Sequence, residues 1–91
     1  MTGRQPRYTP EDAARRGEAI YARDIEPTIT AADTGRYVAI DLDSEAWEMD
    51  ADEDGADDRL LARMPDAQIY MTRVGYGYIR HFRGGRVRHA A

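Results

Sequence analysis

The chain has no cysteine, no lysine, a single serine and only two histidines among its 91 residues. Without cysteine there are no disulfides and no thiolate metal sites. A secreted domain this small usually needs disulfide staples, so the expected compartment is the cytoplasm. Long apolar runs are also missing, and no segment has the length that a membrane-spanning helix requires. The start, Met1-Thr2-Gly3-Arg4-Gln5-Pro6-Arg7, carries no apolar stretch after its basic residues and does not read as a signal peptide. All 13 basic residues are arginine, so every cation can fork onto a carboxylate or a phosphate.

Large aliphatic residues are scarce. Ile, Leu, Val and Phe together number 13, and 14 alanines raise the hydrophobic share to 42%. Six tyrosines, four methionines and one tryptophan add bulk, and the net charge is only −4. The reading is a folded domain with a thin core, of a kind that gains from covering apolar surface with a second chain. The expected organisation is a flexible basic start (1–8), one α+β domain (9–83) and a flexible basic tail (84–91).

Thr9-Pro10-Glu11-Asp12 has the marks of a helix start: a capping hydroxyl, proline in the first turn and acids at its positive end. The helix is expected to run to about Ile25, burying Ala13, Gly17, Ile20, Tyr21 and Asp24 or Ile25. Pro27 ends it. Tyr37 to Asp43 alternates, with Val38, Ile40 and Leu42 on one face. A turn at Ser44-Glu45 leads to a second strand around Trp47 and Met49. A second helix opens at Asp54 or Gly55, buries Ala56, Leu60, Leu61 and Met64, and stops at Pro65-Asp66. Ala67–Val74 and Tyr78–Phe82 are the third and fourth strands, joined by Gly75-Tyr76-Gly77. The predicted fold is α-β-β-α-β-β, a four-stranded mixed sheet in the order 2-1-3-4. Its first and third strands are expected to be parallel, by the handedness of strand–helix–strand connections. Both helices are expected on the Val38/Ile40/Leu42 face, leaving the face of Tyr37, Asp41 and Tyr70 open.

Charge is segregated. Residues 41–58 hold ten acids and no base, and residues 73–89 hold five arginines, two histidines and no acid. Asp50-Ala51-Asp52-Glu53-Asp54-Gly55 matches the first half of a calcium loop. The twelfth position is Leu61 where a bidentate carboxylate belongs, the eighth is Asp57 where an apolar residue belongs, and a strand precedes the loop. A weak calcium site at Asp50, Asp52 and Asp54 is therefore an alternative, and capping of the second helix by these acids is the preferred reading. No catalytic centre is recognisable. Ser44 falls in a turn, His81 on the last strand and His89 in the tail, and no glycine-rich loop opens a helix. No cofactor is expected. Arg73, Tyr76, Tyr78, Arg80, His81, Phe82, Arg83, Arg86 and Arg88 mix cations with rings, which gives a second alternative, nucleic-acid binding, against an overall pI near 5.1.

Arg16-Gly17-Glu18-Ala19-Ile20-Tyr21, Gly35–Asp41, Trp47–Asp50, Arg59–Arg63 with Pro65-Asp66-Ala67, and Arg73–Tyr76 together resemble a family of short bacterial proteins of unknown function. The resemblance covers roughly residues 8–85, except at Asp43–Ala46, where a Thr-Gly-Asp turn is more usual. It implies a small companion protein, in the style of antitoxins or of the companions of small aspartyl proteases, without cofactor or catalytic residues. The function expected is a non-catalytic module that self-associates, as a dimer, or binds a partner protein. The expected contact residues are Tyr37, Asp41, Trp47, Met49, Tyr70, Tyr76, Tyr78, Arg80 and Phe82, because aromatic and arginine side chains anchor interfaces and bare edge strands invite pairing.

Overall fold

Thr9 caps the first helix as its sequence predicts: its hydroxyl accepts the Asp12 N–H at 3.1 Å. In the computed structural model, which describes residues 8–84 and side chains to Gly77, α1 spans Pro10–Ile20. It does not run on as an α-helix. Tyr21–Ile25 forms a π-turn, and Glu26–Thr28 tightens into a 3₁₀ turn around Pro27. The widened turn has a packing consequence. Regular spacing would place Asp24 beneath Ile20, whereas the i→i+5 turn returns Ile25 to the buried face. A short 3₁₀ turn at Ala31–Asp33, boxed by Thr30 and Asp33, leads into the sheet.

The strands are β1 (Tyr37–Asp41), β2 (Trp47–Asp50), β3 (Gln68–Arg73) and β4 (Gly77–Gly84), with α2 (Glu53–Arg63) between β2 and β3. The order β2-β1-β3-β4 agrees with the sequence reading. The pairing does not: β1 and β3 are antiparallel, and so is every other neighbouring pair. The helix connects β2 to β3, not β1 to β3. Those two strands run the same way on either side of β1, so the connection rule applies to a pair that makes no hydrogen bonds.

The helices lie on opposite faces, a second correction. Val38, Ile40, Leu42, Tyr70 and Val74 pack with Ala13, Ile20 and Ile25 of the α1 side. Ala39, Ala67, Ile69 and Met71 pack with Ala56 and Leu60 of α2. The thin core is thus divided into two half-cores around a sheet buried on both sides. Small residues make the second half-core: Ala39 on β1 and Ala56 on α2 let helix and sheet come close. Burying Leu60 there contributes about 2 kcal/mol.

Residues 1–7 and 85–91, with most of the expected flexible ends, lie outside the described residues. Tyr8, at the edge of the expected flexible start, reaches the sheet: its hydroxyl donates to Asp43 Oδ1 at 2.8 Å. Among the described residues no helix is long and apolar enough to cross a membrane.

Candidate binding groove

The face expected to be open is closed. Asp41 is 4% exposed and Tyr70 1% exposed. Tyr70 lies on the α1 face opposite Ile40, not beside Tyr37. Asp41 is a structural carboxylate. It accepts the Ser44 hydroxyl at 2.6 Å, the Asp43 N–H at 3.2 Å, the Ser44 N–H at 3.3 Å and the Gln68 N–H at 3.0 Å. One side chain thereby closes the β1–β2 turn and ties it to the start of β3. This also accounts for the one serine, whose hydroxyl serves the turn.

The β2 edge is guarded. Trp47 and Met49 are half-buried and turn their side chains to the α1-side core. Asp41 N–H bonds Ala46 C=O at 2.8 Å, so by antiparallel alternation Ala46, Glu48 and Asp50 bond β1, while Trp47 and Met49 present their main chain outward. Arg63 covers part of that edge: its Nη2 donates to Trp47 O at 3.2 Å while its Nε lies 2.8 Å from Glu48 Oε2. Charges placed so discourage strand addition.

The calcium-like segment is used by the fold. Asp50 Oδ1 accepts the Asp52 N–H at 2.9 Å, and Arg59 lies 3.8 Å from the same carboxylate. Gly55 leaves the space it fills: a β-carbon there would stand 2.6 Å from Asp50 Oδ1. Asp52 takes the N-cap position and Asp54 the first turn of α2. Among the described residues no three carboxylates or histidines converge to hold a metal ion.

A further opening lies at the other end of the sheet. A groove of about 700 Å³ runs between the end of α1 and the β3–β4 turn. One wall is the helical row Glu18, Tyr21, Ala22 and Glu26. Ile29, Thr30, Ala31 and Thr34 of the 3₁₀ connection form its end, and Tyr70, Thr72, Arg73, Val74, Gly75 and Gly77 form the floor and far wall. Burial pushes the Tyr21 phenol above its ordinary value, and the Glu26 carboxylate adds to the rise. Both causes disfavour phenolate, so Tyr21 presents a neutral hydroxyl to the groove.

Arg73 lines the groove at the end of β3, and its side chain, on the α2 face with Tyr37, is held on three sides. Its Nε donates to Gly35 O at 3.0 Å, and its guanidinium lies 4.9 Å from the ring centre of Tyr37 and 4.2 Å from that of Tyr76. The turn that carries Tyr76 depends on Gly75 and Gly77, both with φ of +87°. Tyr76 is 64% exposed, the one large exposed hydrophobic side chain among the described residues.

Comparison with protein-family models, curated proteins and solved structures finds no significant match.

Of the contact residues expected from sequence, Tyr37 and Tyr76 meet through Arg73 at the end of β3, Tyr37 on the α2 face, and neither lines the groove. Asp41 and Tyr70 are internal, and Trp47 and Met49 lie on the far edge of the sheet. The side chains of Tyr78, Arg80 and Phe82 on β4 lie outside the described residues. Sequence reasoning missed Glu18, Tyr21, Glu26 and Ile29. The signal for the first three was the i, i+3, i+8 row along α1 and its continuation, of which the sequence reading used only Tyr21, as part of the buried stripe.

Proposed function

We propose that the chain is a non-catalytic protein-binding module whose groove beside Arg73 receives an extended segment of a partner protein. The observation that carries this reading is the groove's place beside the β3–β4 turn, whose Gly75 and Gly77 line it and whose exposed Tyr76 lies against Arg73. Rigid aromatic and arginine side chains beside a desolvated pocket are the usual anchors of an interface. Ile29, half-exposed above the buried Tyr70 and Val74, supplies apolar surface, and Arg73 is oriented in advance by two rings and a carbonyl, so little side-chain freedom is lost on binding. A cytoplasmic companion protein, of the antitoxin-like kind that the sequence resemblance implies, would act in this way.

The test is affinity capture from the native cell with the wild-type chain and with Ile29→Arg, which blocks the groove at a partly exposed position. The reading expects a partner bound by the wild type and lost in a variant of unchanged melting temperature. A partner retained equally by both would overturn the groove as the contact site.

A further inference from the structure

We infer that the groove selects a cationic segment, an extended stretch of protein with arginine or lysine set between small apolar residues, and that Glu18 and Glu26 read the basic side chain. The inference rests on the groove being the binding site proposed above, and it adds the chemistry of the occupant.

The acids of this chain differ in how they are used. Asp12 is paired with Arg15, Asp24 and Glu45 with Arg23, and Glu48 with Arg59 and Arg63. Glu18 and Glu26 stand apart from this: both are exposed, both line the groove, and among the described residues neither is paired with an arginine. They flank Tyr21 on one wall. Glu26 lies close enough for its charge to act on the Tyr21 phenol, and both residues line the groove. The wall is therefore negative and lined with a hydroxyl that donates or accepts.

The acidic wall fixes the orientation of the occupant. Among the described residues Arg73 is the one cationic residue lining the groove, and its side chain leaves the sheet on the α2 face with Tyr37, so a basic side chain entering the groove meets the carboxylates of the α1 wall. The floor of Ile29 and Val74 accommodates short apolar neighbours. A polyanion meets the reverse arrangement: Glu18 and Glu26 oppose a phosphate strand along the length of the groove, so single-stranded nucleic acid is an outcome the test must exclude.

The probes are three fluorescein-labelled octapeptides alternating valine with arginine, glutamine or glutamate, and a labelled oligodeoxythymidine, titrated against the full chain by fluorescence anisotropy. The arginine peptide should bind about tenfold more tightly than the glutamine peptide at low salt, and the gap should narrow at high salt. Glu18→Gln/Glu26→Gln should erase the gap and leave the glutamine peptide unchanged. Glu11→Gln, which removes a carboxylate at the start of α1, should preserve it. Equal binding of the arginine and glutamine peptides would overturn this inference and leave the groove reading standing. Failure of every peptide to bind would overturn both. A loss in Glu11→Gln equal to that in the groove variants, or tighter binding of the oligonucleotide than of the arginine peptide, would also overturn it.

Discussion

The α-carbon of Gly17 on α1 lies directly against the ring of Tyr70 on β3, so that a β-carbon at Gly17 would stand 2.5 Å from Tyr70 Cγ. A glycine in a helix interior weakens the helix by about 1 kcal/mol relative to alanine. Here that loss gives the helix its approach to the sheet, because Tyr70 is the largest fully buried side chain on that face.

Gly17→Ala should therefore destabilise the chain although it improves helix propensity. Overpacking against a buried ring costs about 1–3 kcal/mol, more than the propensity gain, and lowers the melting temperature by several degrees. The sign should reverse when the ring is absent. In a Tyr70→Leu background, itself less stable, Gly17→Ala should be neutral or stabilising by up to about 1 kcal/mol. Urea denaturation of the four proteins measures the coupling, and additive effects would refute the contact.

Asp41 should behave as a structural residue. Asp41→Ala removes an acceptor from two turn N–H groups, one hydroxyl and the Gln68 N–H, and should cost about 3 kcal/mol. Ser44→Ala removes the donor to Asp41 and the acceptor of the exposed Ala46 N–H, and should cost about 1 kcal/mol. Hydrogen exchange locates the effect: protection at Gln68 should fall in Asp41→Ala and persist in Ser44→Ala.

These two sites mark what the sequence made legible. The Thr9-Pro10 start, the Val38/Ile40/Leu42 alternation and the strand order could be read because capping and period-two patterns are local. The second buried face could not, because its β1 position is Ala39, set between Tyr37 and Asp41, and nothing local says that the buried side of α2, Ala56 and Leu60, packs there. Asp41 appeared as an outward carboxylate because alternation places it beside Ala39. Its acceptor role depends on Gln68, 27 residues away. The groove was hidden for a similar reason: Glu18 and Glu26 carry no signal of their own in the sequence, and only the path of the 3₁₀ connection past them makes a wall.

Acid should loosen the contact between α1 and the β1–β2 turn. Arg23 donates to Asp24 and to Glu45, and its hydrogen bond to Asp24 holds that carboxyl below its ordinary value. A carboxyl whose value is lower in the folded chain than in the unfolded one contributes stability above its unfolded value and loses it as pH falls through the folded one. Asp24→Asn should therefore lower the melting temperature at neutral pH, and the difference from wild type should close as pH falls below about 4. A difference that persists in strong acid would show that Asp24 acts through packing.

Glu45 carries two opposed effects, and salt should decide between them. Its φ of +71° is the left-handed conformation that costs a non-glycine residue about 1 kcal/mol. Its carboxylate meets Arg16 at 3.1 Å and also Arg23, and exposed pairs of this kind contribute about 0.5 kcal/mol each. Glu45→Gly removes both the strain and the pairs, so at low ionic strength its stability should match the wild type within about 0.5 kcal/mol. High salt screens the pairs and leaves the backbone strain untouched. The glycine variant should then be the more stable protein, by a margin that grows with salt. Thermal melts across a sodium chloride series measure that crossing, and a variant less stable than wild type at every salt concentration would mean that the arginine contacts outweigh the strain of the turn.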